Sequence, residues 1–430
     1  MSSLESLQIN GELPSHLQET RKLLAERNLL IFTPNEIQTS ANLFAHNLTL
    51  GLQTDGREGF PMLNSHVRRI DLTNLPVGKE VLVMVVGGTF VRAYSVENAQ
   101  NGLRIKGDIE SRQEYRTDIK IGDGRVATSA AQFCNKMLDT IGAFLENWQP
   151  AGAVTLYAFA ATPTVRNGNL DVIPFKTMGK GFAVPDIADR PFGEVFYDQP
   201  LTRQLTTPHK IVVNDVPALG TAGDAKICCF NSSGVNVGVL LNGVWCITEC
   251  GGAFRDLPKN AYLIRLDEES NNPGHGLLEK QLTSPYMLET FKLAMRDLAE
   301  NGIVVGISTR DDLTVVNFSS IANGTDHLLT QVDKKTADVM TVVARTLAYR
   351  SAQANGLILG ATIKTFLSEF PEEEVLIPLQ SKVAYAIRGY TALATAIASE
   401  VSSKKVKFLN IPDADILGAA AIVLSKIPAN

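Results

Sequence analysis

The chain has 430 residues, of which 45% are apolar and 20% are charged, and its net charge is −5. This length exceeds one typical hydrophobic core and predicts two domains. The basic residues are scattered and form no stripe, which argues against nucleic acid as a partner. No apolar run approaches the roughly 18 residues of a membrane-spanning helix, and the N-terminus lacks the basic and apolar regions of a signal peptide. We therefore expect no membrane partner.

The cysteines indicate a reducing compartment. There are five, and the adjacent Cys228 and Cys229 lie in an apolar run, which predicts free, buried thiols. Cys246 and Cys250 have no second pair and no nearby histidines at zinc spacing. We therefore predict no metal ligand among these residues and expect the protein in the cytoplasm, where thiols stay reduced.

The N-terminal half predicts helices followed by a β-rich unit. Around Gly87-Gly88 the pattern is strand, tight turn, strand, and glycines at such a turn let backbone N–H groups approach a phosphate. The commoner explanation of a lone Gly-Gly is a plain hairpin turn. The predicted elements are helices over residues 15–31, 35–50 and 128–147, and strands over 80–86, 89–96 and 154–160.

The middle of the chain contains the first candidate catalytic group. Residues 211–213 are short, apolar and β-branched, which predicts a buried strand that ends at Asn214-Asp215. Open α/β sheets bind their ligands at the carboxyl ends of strands, and a carboxylate there is able to take a proton from a hydroxyl group. The alternative for this dipeptide is an Asn-Asp turn or a helix cap.

The C-terminal half begins with a second strand, turn, strand unit at residues 225–241, which echoes the first. Two echoing β-rich units, each followed by helices, predict an internally duplicated α/β architecture. The remaining predictions are helices over 285–300, 333–355 and 382–401, a strand over 405–410, a turn over 413–417 and a closing helix over 417–424.

Six short motifs occur in an order that resembles the eukaryotic-type hexokinase family. The most specific is Asn272-Pro-Gly-His-Gly-Leu-Leu-Glu-Lys280, which is similar to the family's Asn-Pro-Gly-Lys-Gln-Leu-Phe-Glu-Lys. The other five are residues 62–67, residues 75–80 with the following Gly87-Gly-Thr-Phe-Val-Arg92, Lys180-Gly-Phe182, Asn214-Asp215 and residues 249–256. Each motif alone is weakly specific, whereas their shared order is not.

The resemblance implies an α/β fold of the duplicated actin-like ATPase (ribonuclease H-like) type, with two domains and a ligand cleft between them. The small domain is expected over residues 77–213. The large domain is expected over 1–76 and 214–430, with a last helix that can return to the small domain.

The resemblance also implies an ATP-dependent hexose kinase that transfers the γ-phosphoryl group to the 6-hydroxyl of glucose or a related hexose. Asp215 is then the general base, and Mg²⁺ is bound through phosphates and water, with no protein ligand. The expected sugar-binding residues are Lys180, Asn214, Asn236, Glu249 and Glu279. The expected nucleotide-binding residues are Gly87, Gly88, Thr89, Arg92, Ser233, Gly234 and Gly418, the last of which allows either the nucleotide or the adjacent chain to approach closely.

Departures from the family pattern concentrate on the nucleotide side. Val85 replaces an aspartate that helps hold the Mg²⁺ shell, and Asp415 brings a carboxylate to the adenosine segment. Asp224 or a water shell are two possible compensations. The sugar side differs at Ala161, Gly179 and Gly276. These departures motivate a second hypothesis, a catalytically impaired sugar-binding or regulatory protein, and a third, an enzyme with another phosphoryl donor.

Overall fold

The structure is a computed structural model that describes residues 15–86, 90–106, 115–116, 149–158, 161–174, 189–203, 205–270, 272–305 and 313–428. The predicted helix over 128–147 and the turn at Gly87-Gly88 lie outside the described residues. Within the described ranges, no helix combines the length and the apolar character that crossing a membrane requires.

The elements up to Asn214 are mostly strands. The strands are β1 (Leu63–Arg68), β2 (Glu80–Val86), β3 (Phe90–Ala99), β4 (Gly102–Lys106), β5 (Tyr115–Arg116), β6 (Gly152–Tyr157), β7 (Ala161–Arg166), β8 (Asn169–Pro174) and β9 (Lys210–Asn214). The helices are α1 (Ser15–Glu26), α2 (Pro34–Gln53), α3 (Phe192–Tyr197) and α4 (Pro200–Arg203).

The elements after Asn214 are mostly helices. The helices are α5 (Asp215–Ala222), α6 (Cys250–Ala253), α7 (Ala261–Glu268), α8 (Leu277–Leu282), α9 (Ser284–Glu300), α10 (Val315–Asn323), α11 (Lys334–Thr365), α12 (Lys382–Ala386), α13 (Tyr390–Ser402) and α14 (Ala414–Leu424). The strands are β10 (Ile227–Asn231), β11 (Val235–Leu241), β12 (Val244–Ile247), β13 (Glu374–Gln380) and β14 (Lys405–Leu409).

The two large sheets repeat one topology. The first has the order β4-β3-β2-β6-β9, and the second has the order β12-β11-β10-β13-β14 with β1 added beside β12. In each sheet the first three strands pair antiparallel, and the last two join in parallel. This repetition confirms the duplicated α/β fold that the two echoing sequence units predict.

Equivalent strands of the two sheets run into a pair of packed helices. β9 leads directly into α5, and β14 leads into α14. At their crossing, a Cβ atom on Gly418 would lie 1.8 Å from the carbonyl oxygen of Ala218, so only glycine permits this approach. The helix α14 also contacts β2 and β6 of the first sheet. The two helices therefore form the core that joins the halves of the duplicated fold.

A second core lies on the other face of the second sheet, around the long helix α11. The part of α11 from Ala352 to Ile363 is buried on all sides, which is the expected property of an apolar helix inside a core. It packs against α2, α10 and α13. This core fixes the second sheet and the turns at its edge.

Most predicted elements are confirmed, and two are wrong. The predicted helix over 382–401 is divided into α12 and α13 because Ile387 is extended and Gly389 has a φ of +82°. The predicted turn over 413–417 is also wrong. Asp413 alone takes a left-handed conformation, and α14 begins directly after it.

Candidate functional site

The carboxyl end of β9 presents Asn214 and Asp215 at the start of α5. The Asn214 Oδ1 atom accepts a hydrogen bond from Val216 N at 2.9 Å, so Asn214 is the N-cap of α5. Asp215 is the first residue of the helix and is partly buried. The partial positive charge of a helix N-terminus favours a carboxylate at this position. The cap alternative thus holds for Asn214, and Asp215 follows it as the first residue of the helix.

Asn236 and Glu249 form a hydrogen-bonded pair beside this strand end. The Asn236 Nδ2 atom donates to Glu249 Oε1 at 2.9 Å, and the Asn236 Oδ1 atom accepts from Glu249 N at 3.0 Å. Thr248 Oγ1 also donates to Asn236 Oδ1. Glu249 has a φ of +53°, which is uncommon for a residue with a side chain. The asparagine therefore holds both the strained backbone and the carboxylate of Glu249.

The carboxylate of Glu279 lies among three glycines. A Cβ atom would lie 2.9 Å from Glu279 Oε1 at Gly234, 3.0 Å from it at Gly251 and 3.3 Å from Oε2 at Gly276. Val235 N donates to Oε1 at 3.4 Å. The turn between β10 and β11, the start of α6 and the start of α8 thus all meet at this carboxylate. A side chain at position 234 would therefore crowd the carboxylate of Glu279.

Three carboxylates converge at the site. Burial raises the pKa of Glu249 to about 7, the hydrogen bond from Asn236 opposes that shift, and the charges of Asp215 and Glu279 raise the pKa further. Like charges act in this way only at short range. Asp215 and Glu279 therefore lie near enough to Glu249 for their charges to act on it, and a group of carboxylates suits a ligand rich in hydroxyl donors.

Several predicted site residues lie outside the described residues, namely Gly87, Gly88, Thr89 and Lys180. Arg92 belongs to β3, where its backbone pairs with Val85 of β2. The structure places Val85, the position of the family aspartate, one residue before the end of β2, partly buried.

The remaining nucleotide-side predictions fall at two places. Ser233 is exposed and Gly234 is partly exposed in the turn between β10 and β11, next to Glu279. Gly418 lies in the buried crossing of α14 with α5, so its close approach in the structure is to the adjacent chain. Asp224 lies beyond the other end of α5 from Asp215, about 13 Å away by helical rise. Its Oδ1 atom accepts a hydrogen bond from Arg69 Nη2 at 3.0 Å. The structure therefore does not support the idea that Asp224 replaces the family aspartate at position 85.

One important cluster is absent from the sequence prediction. Lys280 follows Glu279, and its side chain is 1% exposed. It donates to Asp267 Oδ1 at 2.6 Å, to Ser270 Oγ at 2.9 Å and to Asn272 O at 3.1 Å. The signal was present in the Glu-Lys end of the family motif, but a lysine in a sequence is normally assigned to the surface. Here it anchors the loop that leads to Glu279.

No metal site is evident in the part of the chain that the structure describes, where no group of three or more His, Cys, Asp or Glu side chains is arranged to hold an ion. The four described cysteines, Cys228, Cys229, Cys246 and Cys250, are free and buried.

Comparison with known proteins identifies the family. One hexokinase family model matches residues 25–222, and a second hexokinase model matches residues 234–425. The chain belongs to the hexokinase family. The two matches are separated by residues 223–233, and together they contain Asn214, Asp215 and Glu279.

Curated hexokinase-family relatives are distant. The chain is 23% identical to the hexokinase-like 1 protein of Arabidopsis thaliana over 351 residues, covering 74% of this chain and 67% of that protein. It is 22% identical to the hexokinase of Kluyveromyces lactis, covering 68% of this chain and 64% of that protein. It is 23% identical to hexokinase-2 of Saccharomyces cerevisiae, covering 64% of this chain and 61% of that protein. The matches thus span about two thirds of the length of these relatives.

Solved hexokinase structures share the fold. The hexokinase from Schistosoma mansoni complexed with glucose superposes with a TM-score of 0.78 at 19% identity, covering 95% of this chain and 99% of that one. A second hexokinase crystal structure gives 0.77 at 18% identity, with 96% and 99% covered. This likeness confirms the hexokinase fold, of the actin-like ATPase type, for the chain.

Proposed function

We propose that the chain is an ATP-dependent hexose kinase, which transfers a phosphoryl group to the 6-hydroxyl of glucose or a related hexose. The observation that carries the proposal is the convergence of Asp215, Glu249 and Glu279, with Asn236 holding Glu249. Carboxylate oxygens accept charge-assisted hydrogen bonds from sugar hydroxyl groups. Family membership adds the expectation of phosphoryl transfer.

Asp215 is assigned the role of general base. It lies at the carboxyl end of β9, where its position is fixed by the helix that Asn214 caps. A carboxylate in this place takes the proton of the attacking hydroxyl as the new bond to phosphorus forms. Glu249, Glu279 and Asn236 orient the sugar, and we assign Lys180 a further donor role. Asn214 caps the helix through Oδ1, and we assign it a contact with the sugar as well.

The nucleotide is assigned to the two glycine-containing turns, at Gly87, Gly88 and Thr89 and at Ser233 and Gly234. The exposed, small side chains of the second turn fit a ligand whose phosphates contact backbone N–H groups. We propose Mg²⁺ bound through phosphates and water, because position 85 is a valine. Bound Mg-ATP supplies the phosphoryl group. The buried free thiols support a reducing, cytoplasmic location.

A second candidate function is a sugar-binding or regulatory protein without catalysis. Val85 is the observation that favours it, together with the pairing of Asp224 to Arg69 instead of a place near the site. Both candidate functions require the sugar pocket. They differ in whether the chain also binds Mg-ATP.

Separate calorimetric titrations with glucose and with Mg-ATP distinguish the two candidates. The kinase proposal expects both ligands to bind. Binding of a hexose without Mg-ATP would favour the sugar-binding protein, or an enzyme with another phosphoryl donor. A chain that bound neither glucose nor any other hexose would contradict both.

The raised pKa of Glu249 predicts that sugar affinity depends on pH. Only the ionised carboxylate accepts at both oxygens, so with a pKa of about 7 we expect the glucose Kd to weaken about tenfold between pH 8 and pH 6. Stability responds in the opposite direction. The folded state binds this proton more tightly than the unfolded chain, so the group's contribution to stability falls as the pH rises from 4.5 through about 7.

Glucose titrations across this pH range, on the wild-type chain and on Glu249→Gln, check the assignment. The variant has no carboxyl group to titrate, so its affinity should be weaker and nearly constant with pH. A wild-type Kd that stayed constant from pH 6 to pH 8 would remove Glu249 from the sugar contact.

A further inference from the structure

A chain of buried polar side chains lies behind the candidate site. It centres on Tyr390, the first residue of α13, whose side chain is 0% exposed. The Tyr390 hydroxyl contacts Asn231 Nδ2 at 3.2 Å, Ser351 Oγ at 2.8 Å and the Nδ2 atom of Asn355. Ser351 Oγ in turn donates to the carbonyl oxygen of Leu282 at 2.8 Å. All four side chains are buried in an otherwise apolar core.

The hydrogen bonds of this chain have a fixed direction. An amide NH₂ group only donates, so Asn231 and Asn355 both donate to the Tyr390 oxygen. The Tyr390 hydroxyl must then donate to Ser351, and the Ser351 hydroxyl donates to Leu282. Burial raises the pKa of Tyr390, so the hydroxyl keeps the proton that it donates. The opposite end of Asn355 agrees with this orientation, because its Oδ1 atom faces Cys229 Sγ at 3.9 Å.

The two ends of the chain belong to the two elements that meet at Glu279. Asn231 is the last residue of β10 and precedes the turn that contains Gly234. Leu282 is the last residue of α8, the helix that carries Glu279. On the ligand side these elements are joined by the 3.4 Å contact of Val235 N with Glu279. That contact is long for a hydrogen bond, so the separation of the elements needs a second constraint.

We propose that Tyr390 is a positioning residue that holds the β10–β11 turn and the helix α8 at a fixed separation, and thereby places the Glu279 carboxylate for sugar binding. The effect on sugar binding rests on the proposed sugar pocket. The hydrogen-bonded connection from Asn231 through Tyr390 and Ser351 to Leu282, which we call the tie, does not. Tyr390 touches no ligand in this account. It acts through Asn231 on one side and through Ser351 and Leu282 on the other.

The variant Tyr390→Phe tests the tie because it keeps the ring and removes only the hydroxyl. The matched control is Tyr262→Phe on α7. It also removes only a tyrosine hydroxyl, one that donates to Asp297 Oδ2 at 2.8 Å. In the unliganded protein we expect Tyr390→Phe to speed amide hydrogen exchange in both residues 232–236 and 277–283. We expect Tyr262→Phe to leave both segments unchanged. Unchanged exchange in Tyr390→Phe, or an equal increase in the control, would overturn the proposal.

Glucose titration of the same variants tests the consequence for binding. Tyr390→Phe should weaken glucose about tenfold, within the usual range of coupling between sites, and it should keep the pH dependence because Asn236 still holds Glu249. A general loosening of the fold would alter the pH dependence as well, and would contradict the assignment. If the wild-type chain binds no hexose, the proposed function fails, whereas the exchange comparison still decides the role of Tyr390.

Ser351→Ala provides a second test that leaves Tyr390 in place. It removes both hydrogen bonds of Ser351, to Tyr390 and to Leu282, and leaves those of Tyr390 with Asn231 and Asn355. Exchange should therefore rise in residues 277–283. If Tyr390→Phe does not fold, this variant decides the question by itself. Unchanged exchange around Leu282 would then overturn the proposal.

Discussion

Asp215→Asn is expected to lose about 10²–10⁴-fold in hexose-dependent turnover, the range that general-base catalysis contributes. The amide has the shape of the carboxylate and stays at the start of α5, but it cannot take the proton of the attacking hydroxyl. Asn214 still caps the helix through Val216 N, so the fold and the position of residue 215 are preserved. Glucose affinity should therefore change by no more than about threefold, since Asn236, Glu249 and Glu279 remain.

Initial rates of ADP release and glucose titrations, made on the same preparations, check this prediction. The control is Asp224→Asn, which makes the same chemical change at an exposed carboxylate paired with Arg69. The control should keep wild-type turnover. If Asp215→Asn retained turnover, Asp215 would not be the base. If it lost glucose binding as well, its role would be in binding the sugar.

Lys280→Met is expected to lower the free energy of unfolding by about 3–5 kcal/mol, which is the usual effect of removing one partner of a buried ion pair. The Lys280 side chain is 1% exposed, and its ammonium group has three acceptors. Its removal leaves the Asp267 side chain, which is 17% exposed, without its ion-pair partner. Methionine has nearly the length and volume of the lysine stem, so the loss reports the charge and its hydrogen bonds.

The lowered pKa of Asp267 agrees with a stabilising role for Lys280. Burial alone raises this pKa, but hydrogen bonds from Lys280 and Gly274 N, with the Lys280 charge, lower it below its ordinary value. A depressed pKa contributes stability at neutral pH that is lost as the pH falls through the folded-state value. The variant should therefore lose stability mainly above the ordinary pKa of 3.8.

Urea unfolding of Lys280→Met beside Arg265→Met checks the prediction. Arg265 forms an exposed ion pair with Glu269, with both side chains more than half exposed. Removing an exposed pair of this kind should cost less than about 0.5 kcal/mol. Glucose affinity should also fall in Lys280→Met, because the loop anchored by Asp267 leads to Glu279. If both variants lowered the free energy of unfolding by the same small amount, the Lys280–Asp267 pair would contribute no more than an exposed ion pair, which would contradict the prediction.

The fold could be predicted from the sequence because its strands and helices follow from short-range patterns of apolar and polar residues. The β-branched run before Asn214 and the apolar strands of the two echoing units are short-range signals, and their repetition indicated the duplication. The motif order placed Asp215, Glu249 and Glu279 in one family pattern, and in the structure the charges of Asp215 and Glu279 raise the pKa of Glu249. Their roles at the site remain predictions.

Features that depend on long-range partners were not predictable in the same way. The Lys280–Asp267 pair joins two helices across a loop, and a lysine gives no sign in the sequence that it is buried. Gly418 could be explained by a nucleotide or by a neighbouring chain, and only the crossing with α5 distinguishes these. The break at Ile387 to Gly389 was missed because the apolar spacing continues through it. In the structure α12 ends at the extended Ile387, and Gly389, with a positive φ, is the N-cap of α13.

The most direct test of the central claim is ADP release by the purified chain with Mg-ATP and a panel of hexoses. We predict that at least one hexose raises the release rate above about 1 s⁻¹, the low end of ordinary enzyme turnover, and that Asp215→Asn abolishes this increase. Bound hexose and bound Mg-ATP without hexose-dependent ADP release would contradict the assignment of a hexose kinase.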